Sequence, residues 1–247
     1  STLGNVDNFT FVSGADARMS IAQHAKVNAA AGDNTVTLND AGAVTGHAEV
    51  EEYVLATGAN NFILANGINQ KVTGNSGVDE ITGGTGNDTI IGGAGGDTLL
   101  GGTGDDRITG GADEDSLTGG GGSDTFVFAS GASGSLTTTK DTILDFDDSA
   151  DTLEFDITTT EAVSYVEVNG GSGSDRMFGD EFITNASAAF DGGANVYFAA
   201  NIAATGMGYL AVDINGNGAF NAGVDAFIEL TGLASVDDLS ATNITFV

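Results

Sequence analysis

Aspartate recurs at every ninth residue through the middle of this chain: Asp79, Asp88, Asp97, Asp106, Asp115 and Asp124. Two residues after each stands an apolar side chain: Ile81, Ile90, Leu99, Ile108, Leu117 and Phe126. From Gly74 to Val127 the units read GNSGVDEIT, GGTGNDTII, GGAGGDTLL, GGTGDDRIT, GGADEDSLT and GGGGSDTFV, without insertion. Glycines at positions one, two and four let a turn adopt φ > 0 and bring its carbonyls towards a common point. Ca2+ accepts carboxylate and carbonyl oxygens together, about six to eight of them at roughly 2.3–2.6 Å. One such turn is half a cage. The expected ligands are the six aspartates with the glycines that open the turns, Gly83, Gly92, Gly101, Gly110 and Gly119.

The three residues after each Asp have the length and pattern of a short strand whose middle side chain points inward. A flexible Gly/Asp linker has no reason to keep Ile, Leu or Phe at a fixed ninth place. The pattern GGxGxDxUx, six times in register, resembles the calcium-binding nonapeptide of the RTX (repeats-in-toxin) family. That resemblance implies an all-β, right-handed parallel β-helix or β-roll, closed by a C-terminal β-rich cap. It also implies that two nonapeptides make one coil, so that each turn finds the second half of its cage in the turn stacked on it. About four to six ions would be held this way. Asn75 and Asp113 replace glycines of the template, and both residue types tolerate the left-handed region better than other non-glycine residues. Arg107 lies on a strand and need not compete with a cation.

Three regions follow: degenerate β-helix rungs over 1–73, the calcium roll over 74–128, and a β-rich cap over 129–247 with a secretion-signal-like end. Counting back by nines from the repeats places Val72, Ile63, Val54, Thr45, Val36 and Val27 inward. NTVTL, EEYVL and NNFIL are the strand-like pieces, and Asn34 and Asn61 take the Asp position, where calcium would drop out. The Ala-rich stretch from Ala15 to Ala31 has two readings, further rungs or a short helix over the open end, which needs cover. Downstream, DTILDFDDSADTLEF and the terminal SVDDLSATNITFV resemble the cap and uncleaved type I secretion signal of RTX exoproteins.

Two more stretches could hold calcium. GGSGSDRMF (170–178) is a single nonapeptide out of register that without a stacked neighbour offers half a cage, with an ordinary Gly/Ser hairpin turn as the other reading. DINGNGAFNAGVD places Asp213, Asn215 and Asn217 like the opening of an EF-hand loop, but position twelve is Val224 and Asp225 falls one later. Its flanks alternate like strands, so the expectation is a calcium-holding hairpin loop, with a plain polar hairpin tip as the alternative.

Composition narrows the function. Among 247 residues, 35 are acidic and 6 basic, a formal net charge of −29, which opposes nucleic acid and anionic membranes as partners. No segment approaches the roughly 18 apolar residues of a membrane helix. There is no cysteine, hence no disulfide or thiolate chemistry. The chain opens at Ser1 without a visible secretory leader, as expected of a fragment or processed product. Neither His24 nor His47 lies in a catalytic motif, and paired carboxylates such as Glu51-Glu52 are expected by chance in so acidic a chain. The reading is not an enzyme but an extracellular calcium-binding structural protein of a bacterial cell surface. It would fold on export through a type I secretion apparatus and self-assemble or anchor as a surface layer, fibre or adhesin, with itself and cell-surface polysaccharide as partners. The alternatives are the secretion module of a larger exoenzyme and an ice- or ligand-binding solenoid.

Overall fold

The structure is a computed structural model, and it describes residues 9–11, 16–24, 27–29, 34–129, 140–147, 149–156, 165–169, 196–201, 207–212, 226–231 and 243–246. It divides into two compact units, residues 1–109 with 119–124, and residues 110–118 with 125–247. The first holds β1 (Phe9–Phe11), β2 (Asp16–Met19), α1 (Ile21–His24), β3 (Val27–Ala29), β4 (Thr35–Leu38), β5 (Ala43–Thr45), β6 (Glu52–Val54), β7 (Asn61–Ile63), β8 (Lys71–Thr73), β9 (Glu80–Thr85), β10 (Thr89–Ala94) and β11 (Thr98–Thr103). β12 (Arg107–Ala112) and β13 (Ser116–Gly121) are divided between the units. The second holds β14 (Thr125–Phe128), β15 (Asp141–Ile143), β16 (Thr152–Phe155), β17 (Tyr165–Asn169), β18 (Val196–Asn201), β19 (Met207–Val212), β20 (Ala226–Thr231) and β21 (Ile244–Phe246).

The first unit is a parallel β-solenoid. Alternate strands stack as β2-β4-β6-β8-β10 and as β5-β7-β9-β11, while β1 pairs with β3. Short strands separated by glycine turns cannot pair with their immediate successors, so each pairs with the strand one full coil away. Val36, Tyr53, Val72 and Ile90 form one buried column, and Val44, Phe62, Ile81 and Leu99 the other.

Here the structure corrects the count by nines. Val36 and Val72 are buried, but between them the inward side chains are Val44, Tyr53 and Phe62, not Thr45, Val54 and Ile63. Val36 to Val44 spans eight residues and Phe62 to Val72 spans ten, so one turn is short and a later one long. Because side chains alternate along a strand, a slip of one residue exchanges inside for outside. Ile63 is accordingly 43% exposed. The side chain of Val27 lies outside the described residues. Over Ala15–Ala31 the described residues form β2, the single helical turn α1, and β3, which favours rungs over the alternative of a covering helix.

The second unit pairs β13 with β15, β14 with β16, β16 with β21 and β15 with β20, all parallel. β18-β19 and β19-β20 are antiparallel, so the stretches either side of 213–225 form the expected strand pair, ending at Val212↔Ala226. The loop itself, with Asp213, Asn215, Asn217 and Asp225, lies outside the described residues, as does 170–178.

Candidate metal centre

Each repeat divides its work among fixed positions. Positions two and four hold the left-handed turns: Gly84 at φ 95° and Gly86 at φ 129° typify them, and the two substituted residues conform, Asn75 at φ 78° and Asp113 at φ 81°. Position one does something else. Its glycines keep ordinary φ, and what they provide is space. A Cβ on Gly83 would come within 3.0 Å of both the Gly101 carbonyl oxygen and Asp88 Oδ2. A Cβ on Gly101 would likewise meet Asp106 Oδ2 and the Gly119 carbonyl oxygen, and one on Gly74 would meet Asp79 Oδ2 and the Gly92 carbonyl oxygen. Gly110 stands the same way against Asp115 Oδ2. The glycine at position one thus lines a small cradle between a carboxylate oxygen and a stacked carbonyl.

At several rungs beyond the aspartates a large apolar side chain fills the same position. Leu38, Leu55 and Leu64 occupy it upstream, and Phe128 and Phe155 occupy it downstream, all buried. Each such Leu contributes about 1.5–3 kcal/mol by burial, which the glycine rungs forgo.

All six repeat aspartates are buried. Their two oxygens have different roles. Oδ1 accepts a main-chain N–H from the neighbouring rung: Asp79 N–H to Asp97 (2.8 Å), Asp88 N–H to Asp106 (2.7 Å) and Asp106 N–H to Asp124 (2.9 Å). Oδ2 of Asp79, Asp88 and Asp106 is buried and has no hydrogen-bond partner among the described residues. An unsatisfied buried polar atom costs about 1–3 kcal/mol, and more when charged. Burial accordingly pushes Asp79 up, and Asp88 and Asp106 each up to about 6; the Gln70 N–H on Asp88 and the Asp88 N–H on Asp106 pull the other way.

That donor set fits a hard cation. Among the described residues no three carboxylate or imidazole groups converge, so the oxygens on offer are one carboxylate per turn and main-chain carbonyls. Ca2+ suits such a mixture, whereas zinc would call for nitrogen or sulfur.

Upstream rungs show what replaces a cation. At three upstream rungs the residue in the Asp slot is Asn34, Asn60 or Gln70, while Gly42 holds it before Val44 and Glu51 before Tyr53; the slot assigned to Asn61 belongs to Asn60, by the same one-residue slip. The Asn60 amide donates to the Ala56 carbonyl at 3.0 Å, the Gly58 carbonyl at 2.7 Å and Asp79 Oδ1 at 2.9 Å. The Gln70 amide donates to the His47 carbonyl at 3.0 Å and to the Val50 carbonyl, and that of Asn34 to the Glu49 carbonyl at 3.0 Å. An amide NH2 turned on these carbonyls satisfies them without metal. Sequence reasoning saw only that the charge was missing there.

The histidines serve packing. His24 is buried with Nε2 3.2 Å from the Tyr53 hydroxyl, and the His47 N–H donates to that hydroxyl at 2.7 Å. Burial, then the nearby His47, lowers His24 to about 4, and burial raises Tyr53.

A parallel solenoid whose turns each offer one buried carboxylate and inward carbonyls has the architecture of a calcium β-roll. Residues 73–107, 91–126 and 167–182 match the family model of the RTX calcium-binding nonapeptide repeat (4 copies), so this chain carries RTX repeats. RTX nonapeptide repeats bind Ca2+ and are typical of secreted extracellular bacterial proteins. No curated protein matches the chain.

Proposed function

We propose that this chain is an extracellular structural protein that folds around Ca2+ after export and then assembles with copies of itself at a bacterial surface. The observation that carries the reading is the set of buried Oδ2 atoms on Asp79, Asp88 and Asp106 that have no hydrogen-bond partner among the described residues. Calcium ligands in this reading are Asp79, Asp88, Asp97, Asp106, Asp115 and Asp124, with the carbonyls around Gly83, Gly92, Gly101, Gly110 and Gly119. The metal supplies the positive charge the roll lacks, so its binding energy becomes folding energy.

In calcium-poor cytoplasm a chain of net charge −29 repels itself and stays open for a type I exporter. Outside, millimolar calcium meets the roughly 10⁻⁴–10⁻³ M affinity of extracellular modules. Assembly is supported by the outer face of the first unit. There Ile63 and Leu100 (38% exposed) flank Thr82 in one column. Light scattering with negative-stain microscopy during a calcium titration tests this. Filaments or sheets forming after the chain folds are expected, and a calcium-loaded monomer at every concentration would sink self-assembly.

A further inference from the structure

We propose that the helical turn α1 is an acid-released latch, held over the start of β5 by a neutral His24 and let go when His24 takes up a proton. The inference is independent of the calcium reading and concerns the rungs upstream of the repeats.

α1 is pinned at both ends. At its start the Ile21 N–H donates to Asp40 Oδ1 at 3.0 Å. The Ile21 side chain lies so close over Gly42, just before β5, that a Cβ on Gly42 would come to 3.1 Å from Ile21 Cδ1. At its finish His24 is 2% exposed and reaches Tyr53 of β6, twenty-nine residues along the chain. The His24 ring lies 4.6 Å from that of His47 and 5.4 Å from that of Tyr53, centroid to centroid.

The acceptors in this cluster fix where its hydrogens sit. The His24 carbonyl can only accept, so His47 Nε2, 3.1 Å away, carries a hydrogen. The Tyr53 hydroxyl already accepts the His47 N–H at 2.7 Å. Its own hydrogen has His24 Nε2 within reach at 3.2 Å, and the arrangement that uses every donor leaves that nitrogen bare. A proton on it strands the phenol hydrogen and puts a cation in a buried site against the His47 ring. Nearby carboxylates offer no compensation. Glu49 is exposed, Glu51 Oε2 accepts the Asn34 N–H at 2.7 Å, and Asp40 is taken by Ile21.

Burial, then the His47 ring, holds His24 at about 4, below the ordinary 6.5. The contribution of the latch is therefore fully present above 6.5 and is lost as pH falls towards about 4. Release uncovers Gly42 and the start of β5, the last described strand of its sheet.

Hydrogen–deuterium exchange of the whole calcium-saturated protein reads the latch segment by segment, with rates corrected for the intrinsic effect of pH. Between about pH 7.5 and about pH 5, protection over residues 16–24 should fall on the order of tenfold while that over 80–103 holds. His24→Gln, whose amide oxygen accepts the Tyr53 hydrogen without taking a charge, should abolish the difference. Protection of 16–24 that ignores pH, a loss shared equally by 80–103, or an undiminished difference in His24→Gln would each overturn the proposal. Should His24→Gln leave 16–24 unprotected at every pH, the imidazole resonances of the unaltered protein decide. His24 is expected to titrate below 6.5, together with the loss of protection, and titration at or above that value would overturn the latch.

Discussion

The backbone N–H of Asp88 donates to Oδ1 of Asp106, 2.7 Å away and eighteen residues along the chain. This bond ties one rung to the next and leaves Oδ2 of each residue facing a glycine-lined cradle. One carboxylate therefore links the solenoid along its length and offers a charge to a cation. Removing it should weaken both.

Asp106→Ala takes away the acceptor for the Asp88 N–H and one cage oxygen together. We expect the calcium midpoint of folding to rise on the order of tenfold or more, since even outer-shell losses at metal sites reach that size. Circular dichroism against free calcium measures it. An unchanged midpoint would refute the ligand assignment.

Acid should act in opposite directions on the two forms. Asp88 and Asp106 in the metal-free fold protonate near pH 6, above the ordinary 3.8, so that fold binds protons more tightly than the open chain. Their contribution to the metal-free fold is fully present below the ordinary value and lost as pH rises through about 6. Calcium binding must displace those protons. Lowering pH from about 7 to about 5 should raise the calcium midpoint and increase residual structure in chelator. A pH-independent midpoint would contradict this.

Asn60→Ala tests the amide in its cation-like place. It strips donors from the Ala56 and Gly58 carbonyls and should lower stability by about 1–3 kcal/mol, read by thermal melting. The calcium count should stay at its unaltered value, because the Asn60 turn needs none.

The slipped register gives a paired test. Phe62→Ala should cost about 3–5 kcal/mol, whereas Ile63→Ala should stay within about 0.5 kcal/mol. The reverse order in denaturant unfolding would restore the uninterrupted count by nines.

That pair also marks where the sequence stops being readable. The calcium tract was legible because glycine spacing, aspartate and inward apolar side chain all agree at six consecutive units. Upstream, Tyr53-Val54 and Phe62-Ile63 put two apolar residues side by side, so hydrophobicity cannot choose the inward one. The choice is made by an eight-residue and a ten-residue spacing whose turns have no repeated signature. Asn34 is readable as missing charge, but the slip hides Asn60 behind Asn61 and puts Gln70 outside the count, and the amide-to-carbonyl bonds appear only once the turn is folded. Position-one glycine was noticed for its freedom, while its use is the room it leaves for Asp88 Oδ2 and its counterparts.

The most direct test is far-UV circular dichroism of the unaltered chain at pH 7.5, titrated from chelator to about 10 mM calcium. A cooperative gain of β-structure at about 10⁻⁴–10⁻³ M calcium is the expected result. A full β spectrum already present in chelator and unmoved by calcium would contradict the claim that the metal completes this fold.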